Sequence, residues 1–161
     1  MKPFKVLSKT AILAFLILAM AIESCKKDDP EPTPVDTNPI VGSWQFVSVA
    51  PETAGTSIPN LALIPTLAPC ITSLVFKFES NNKVTASGCE SAIAILTASG
   101  YLTVGTDTKW KVENGKLKLT NGTTVQEFPI TQQATQMTIT VNTNTDKTLP
   151  VLNAVIVFKK I

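Results

Sequence analysis

The chain has no histidine, no arginine and a single tyrosine, and aromatic residues fill only 6% of its 161 positions. Histidine is the side chain most used for proton transfer near neutral pH and the commonest metal ligand. Its absence excludes a Ser-His-Asp or Cys-His nucleophile and a histidine-ligated zinc. Catalysis would have to rest on paired carboxylates, a lysine–serine pair or the lone tyrosine. Glu79, Glu90, Asp107 and Glu113 fall at strand ends or turns, and no spacing marks any of them as partners. The expectation is therefore a protein that is not an enzyme and uses neither metal nor cofactor. Excess charge is scarce too: 14 lysines against 12 acids leave a net +2, and the lysines are scattered. That gives no electrostatic basis for binding nucleic acid.

What the first residues do contain is an export pattern. Lys2, Lys5 and Lys9 precede Ala11 to Ile22, twelve apolar residues without a charge. A membrane-spanning helix needs about 20 such residues, whereas a basic flank and a short apolar run describe a secretory signal peptide. Two cleavage sites compete. Ala19-Met20-Ala21 fits ordinary small-x-small cleavage. Ile22-Glu23-Ser24-Cys25 resembles the lipobox of bacterial lipoproteins, with Glu23 where a small uncharged residue is usual. Lys26, Lys27, Asp28 and Asp29 follow at once, and they resemble the lysine-then-acid signal that sends some Gram-negative lipoproteins to the outer face of the outer membrane. This resemblance implies residues 1–24 as leader, Cys25 as the lipidated residue carrying palmitate-like acyl chains, and a cell-surface location. Pro30, Pro32, Pro34 and Pro39 make residues 25–39 a stiff, extended tether. Without the leader, eleven lysines face eleven acids, so the apparent basicity belongs to the leader. If Cys25 is acylated, Cys70 and Cys89 remain as a pair in an oxidising compartment, either bridged or as two buried thiols.

From residue 40 to 161 the pattern is that of strands. Twenty-two threonines and many valines and isoleucines favour extended chain. Leu74, Phe76 and Phe78 alternate with polar residues, Asn81-Asn82 makes a turn, and Val84, Ala86 and Gly88 continue inward towards Cys89. Trp110 and Val112 lead to the hairpin signal Asn114-Gly115. Leu117 and Leu119 follow, then a second hairpin signal at Asn121-Gly122, then Met137, Ile139 and Val141. Val151 to Lys159 is apolar on both faces apart from Asn153, as suits a covered or closing strand. No segment shows an amphipathic helical period. The expected fold is all-β: an antiparallel up-and-down meander of about eight strands closing into a barrel. Its exterior positions are lysine, threonine and glutamine, unlike the apolar outer face of a membrane pore. Two connections, Pro51 to Pro69 and Ser91 to Gly100, are long and apolar, and either plug a barrel end or form a lid.

Gly42-Ser43-Trp44 at the start of the first strand looks like the Gly-x-Trp signature of lipocalins. The order of Cys70, Leu74 to Phe78, Asn81-Asn82, Cys89, Trp110 and Asn114-Gly115 is similar to bacterial lipocalin-like domain lipoproteins. The likeness covers about residues 38–161 and implies a lipocalin-like barrel. It departs from lipocalins in lacking the later arginine that packs across the first-strand tryptophan. Trp44, Phe46, Phe76, Phe78 and Trp110 either line an apolar pocket or simply fill the interior. The implied partners are the membrane through the anchor and a small apolar ligand or peptide. The alternative is an interaction or protease-inhibitor module that grips another envelope protein through its loops.

Overall fold

The computed structural model describes residues 35–144, 146 and 148–161. The leader, Cys25 and the Lys26, Lys27, Asp28, Asp29 run lie outside the described residues.

Eight strands form one antiparallel sheet: β1 (Gly42–Pro51), β2 (Val75–Phe78), β3 (Val84–Ser87), β4 (Lys109–Glu113), β5 (Lys116–Asn121), β6 (Thr124–Gln132), β7 (Gln136–Asn142) and β8 (Asn153–Lys160). Their spatial order is β3-β2-β1-β8-β7-β6-β5-β4, a meander in which the first and last strands pair. The remaining edges, β3 and β4, meet through the bridge Lys83↔Lys109. Two backbone bonds, Val84 N–H to Thr108 O at 3.0 Å and Trp110 N–H to Asn82 O at 2.8 Å, hold that seam. The result is the expected all-β barrel, nearly closed, which removes most of the open edges that invite aggregation.

The tight turns sit where the sequence marks them. Asn82 at φ 64° turns β2 into β3, and Asn114 and Gly115 at φ 52° and 71° turn β4 into β5, as a two-residue hairpin requires. Alternation places Phe76, Phe78, Leu117, Leu119, Met137, Ile139 and Val141 in the core. Val112 and Ala86 are only half-buried. A bulge in β1 between Phe46 and Ser48 inserts Val47 as an extra residue against β8. Without it the strand's period of two would turn Val49 outward; with it Trp44, Phe46 and Val49 all serve the interior.

Three local expectations change. The inward run does not continue through Gly88: β3 stops at Ser87, and Gly88 turns away at φ 89°. The last strand begins at Asn153 rather than Val151. The two long connections each contain a helix, α1 (Pro59–Leu67) and α2 (Glu90–Ala98). Pro59 opens α1 at the position where a missing N–H costs nothing. Glu90 sits in the first turn of α2, where a negative charge favours the helix dipole. Neither sequence shows a polar face, and both helices border the apolar space at the barrel mouth. Among the described residues, no helix is long and apolar enough to cross a membrane.

Candidate functional site: an apolar cavity roofed by two helices

One end of the barrel is packed solid. Trp44 is fully buried, and its Nε1–H donates to the Ile40 carbonyl at 2.7 Å. Phe78 stands edge-on to Trp110 with centroids 5.8 Å apart, and Trp110 Nε1–H donates to the Glu79 carbonyl at 3.0 Å. The Lys160 ammonium lies 5.3 Å from the Trp44 ring centroid and donates to the Pro39 carbonyl at 3.1 Å. A cation therefore does pack across the first-strand tryptophan, supplied by the end of β8 although the chain has no arginine.

The other end is hollow. A cavity of about 180 Å³ lies between a floor of Phe46, Phe76 and Phe158 and a roof made by α1 and α2. The floor is a set of edge-to-face rings: Phe158 meets Phe76 at 5.5 Å and Phe46 at 6.2 Å. Leu61, Ile64 and Leu67 descend from α1, and Ala92, Ile95 and Leu96 from α2. The polar side chains at the lining are Asn60, Ser99, Tyr101 and Thr143, and among the described residues no lysine, aspartate or glutamate lines the cavity. Asn60 Nδ2–H donates to the Tyr101 hydroxyl at 3.4 Å, a weak latch between α1 and the chain that follows α2. In size and lining it is comparable to a cavity of roughly 150 Å³ lined by leucine, isoleucine and phenylalanine, which takes up benzene rather than water.

The structure divides the five aromatic residues singled out from sequence. Phe46 and Phe76 face the cavity, whereas Trp44, Phe78 and Trp110 fill the closed end. Glu79, Glu90, Asp107 and Glu113 all lie away from the lining. Glu79 pairs with Lys77 at 3.5 Å and Glu113 with Lys111 at 2.6 Å on the outer surface. The hydrogen bond from Lys111, and then its charge, hold the Glu113 carboxyl below its ordinary pKa and raise that of Lys111 in return. These are exposed pairs with no bearing on the cavity. Among the described residues, no group of three or more cysteine, aspartate or glutamate side chains is placed to hold a metal ion. Sequence reasoning passed over Ala154, Ile156 and Phe158 as site residues. Their signal was a last strand apolar on both faces, with a small residue at 154 that leaves room.

Cys70 and Cys89 form a disulfide with Cα atoms 5.3 Å apart. Cys70 follows α1 by three residues and Cys89 caps the start of α2, so the bridge ties the two roof helices together. Replacing both cysteines by serine should lower unfolding free energy by about 3 kcal/mol through the freed loop. Urea titration under oxidising conditions measures it. An unchanged midpoint would mean that packing alone fixes the roof.

No family model, curated protein or solved structure matches the chain, so the geometry of the barrel carries the functional reading.

Proposed function

We propose that this chain is a non-catalytic, lipid-anchored protein of the outer membrane surface whose lipocalin-like barrel binds a small apolar ligand. The observation that carries the ligand reading is the cavity beneath α1: apolar, uncharged and roofed by helices instead of filled by side chains. The cation over Trp44 supports the lipocalin-like assignment, since it occupies the role of the family's arginine. Acylation of Cys25 would anchor the chain, because two or more acyl chains make membrane attachment stable. Asp36 N–H bonds to Ser80 O at 2.8 Å and Ile40 is fully buried, so the chain joins the barrel at its closed end. The roof follows the opposite end of β1.

Two measurements test the reading. Calorimetric titration with toluene should show binding to the wild-type chain, and Ala154→Leu, which fills the cavity from β8, should abolish it while the thermal transition remains cooperative. Absence of toluene binding to the wild type would remove the ligand reading. For the anchor, Cys25→Ser should eliminate fatty-acid labelling and release the protein from membranes, and a mutant that keeps both would show that Cys25 is not lipidated.

Leu63 (51%) and Leu67 (54%) border the cavity and are also half exposed on α1, and this supports a second reading, an envelope protein docked on the roof. Shortening residues 52–67 would then abolish capture of that partner from intact cells.

A further inference from the structure

The barrel wall is split between β6 and β7. These strands pair only through Ile130↔Ile139, Thr131↔Thr138 and Gln132↔Met137. The same register continued would pair Pro129 with Thr140 and Phe128 with Val141, but residues 124–129 pair with β5 alone. The cause is in the sequence. Gln133 N–H bonds to Gln136 O at the turn, so the hydrogen-bonded positions recur at Thr131 and then at Pro129. Proline has no N–H to give, and the ladder stops there.

Beyond Pro129 the strands part and leave a pocket of about 310 Å³. It is lined by inward-facing Phe128 and Val141 and also by outward-facing Glu127 and Thr140, so residues of both faces of the wall border it. Tyr101 and Val141 line both this pocket and the apolar cavity. Only those two side chains stand in both linings. The facing edges of β6 and β7 have no ladder partner across the gap, and Thr140, Asn142 Nδ2 and Asn153 Oδ1 add polar groups, whereas the Gln126 amide is already held by the Thr103 N–H and the Gly100 carbonyl. Among the described residues, Glu127 is the lone carboxylate there and faces Lys116 at 3.5 Å, and no lysine lines the gap or the cavity.

We infer that this gap is a head-group slot continuous with the cavity, and that the ligand is an uncharged amphiphile. Its tail is a single alkyl or acyl chain of about six to ten carbons, a length suited to a cavity slightly larger than one that holds benzene. Its head carries hydroxyl or amide groups, as in a monoacylglycerol, and these bond to the unpaired strand edges. A carboxylate or phosphate head is disfavoured, because it would lose hydration where, among the described residues, the lining holds no cation to receive it and Lys116 beside it is engaged by Glu127. This inference rests on the ligand-binding reading above and adds the class of ligand.

The test uses the full chain carrying Cys25→Ser, so that it brings no acyl chains of its own. Calorimetry compares toluene, monooctanoylglycerol and the octanoate anion. Monooctanoylglycerol should bind at least about tenfold tighter than octanoate, the value of one good hydrogen bond. Thr140→Trp, an outward-facing change that blocks the slot, should weaken the glyceride by about tenfold and leave toluene binding unchanged. Pro129→Val restores the missing donor, should let the ladder close, and should act in the same direction. Octanoate binding as tightly as the glyceride, or glyceride binding indifferent to both substitutions, overturns the slot while toluene binding keeps the cavity. If no compound binds the wild type, the ligand reading falls and the slot with it.

Discussion

Trp44→Ala should cost the barrel about 3–5 kcal/mol, the range for deleting a buried tryptophan. Against a typical total of about 5–15 kcal/mol, that is a large share of the stability. The size follows from what the side chain holds. Its ring is fully buried beneath the closing turn, and its indole N–H supplies the carbonyl of the equally buried Ile40 at 2.7 Å. Ile40 is itself fully buried, so a cavity at position 44 would undermine the residue that seals the barrel end. Two controls apportion the loss. Trp44→Phe keeps most of the packing and orphans the carbonyl, which should cost about 1–3 kcal/mol. Lys160→Met keeps an aliphatic stem over the ring and removes the cation, worth only about 0.5–1 kcal/mol. Urea unfolding followed by the remaining tryptophan, Trp110, measures all three. A Trp44→Ala loss no larger than that of Lys160→Met would show that the closed end is not sealed by this ring.

The strands of this barrel were legible because each buries one face, and burial writes itself into the sequence as alternation. Leu117 and Leu119 between lysines, or Met137, Ile139 and Val141 between polar residues, admit only one orientation in a sheet. The helices were not legible for a related reason. Pro59–Leu67 buries none of its residues yet is apolar nearly throughout, so no polar stripe exists from which to read a period of 3.6. Its interior Pro65 also argues against helix by propensity alone, yet this short helix contains it. The cavity could be suspected from the apolar connection at 51–69 but not located. Whether an aromatic residue fills or lines depends on its level in the barrel, and residues 44 and 46 share a face while standing at different levels. The split wall has a signal in Pro129, which the alternating segments read from the sequence do not include. A proline inside an otherwise regular strand points to an edge or an interruption, and here the interruption adjoins the cavity.

Gly88→Ala should destabilise the fold by more than about 3 kcal/mol, and the reason is contact more than conformation. Its φ of 89° lies where side chains are strained, and a Cβ added there would fall 2.0 Å from the Ser73 carbonyl oxygen. Neither chain has room to retreat. Ser73 closes the 3-10 turn Ile71–Ser73, with its N–H on Cys70 O at 2.8 Å, and Leu74 next to it accepts the Phe46 N–H at 2.9 Å. Cys89, the neighbour of Gly88, is bridged to Cys70. The glycine thus permits the close approach across which the disulfide forms, and an alanine would force either the bridge or the β1–β2 packing to give. Gly55 provides the comparison: its φ is 82°, but a Cβ there meets nothing within 4 Å. Gly55→Ala should therefore cost only the strain of left-handed backbone, about 1–2 kcal/mol. The difference between the two variants, read from urea midpoints, isolates the clash. Thiol titration adds a second readout, since Gly88→Ala should leave a fraction of chains with two free thiols and Gly55→Ala should not. Equal losses in the two variants would reduce Gly88 to an ordinary turn residue. A larger loss at 88 would establish that the roof over the cavity is positioned by backbone contact as well as by the bridge.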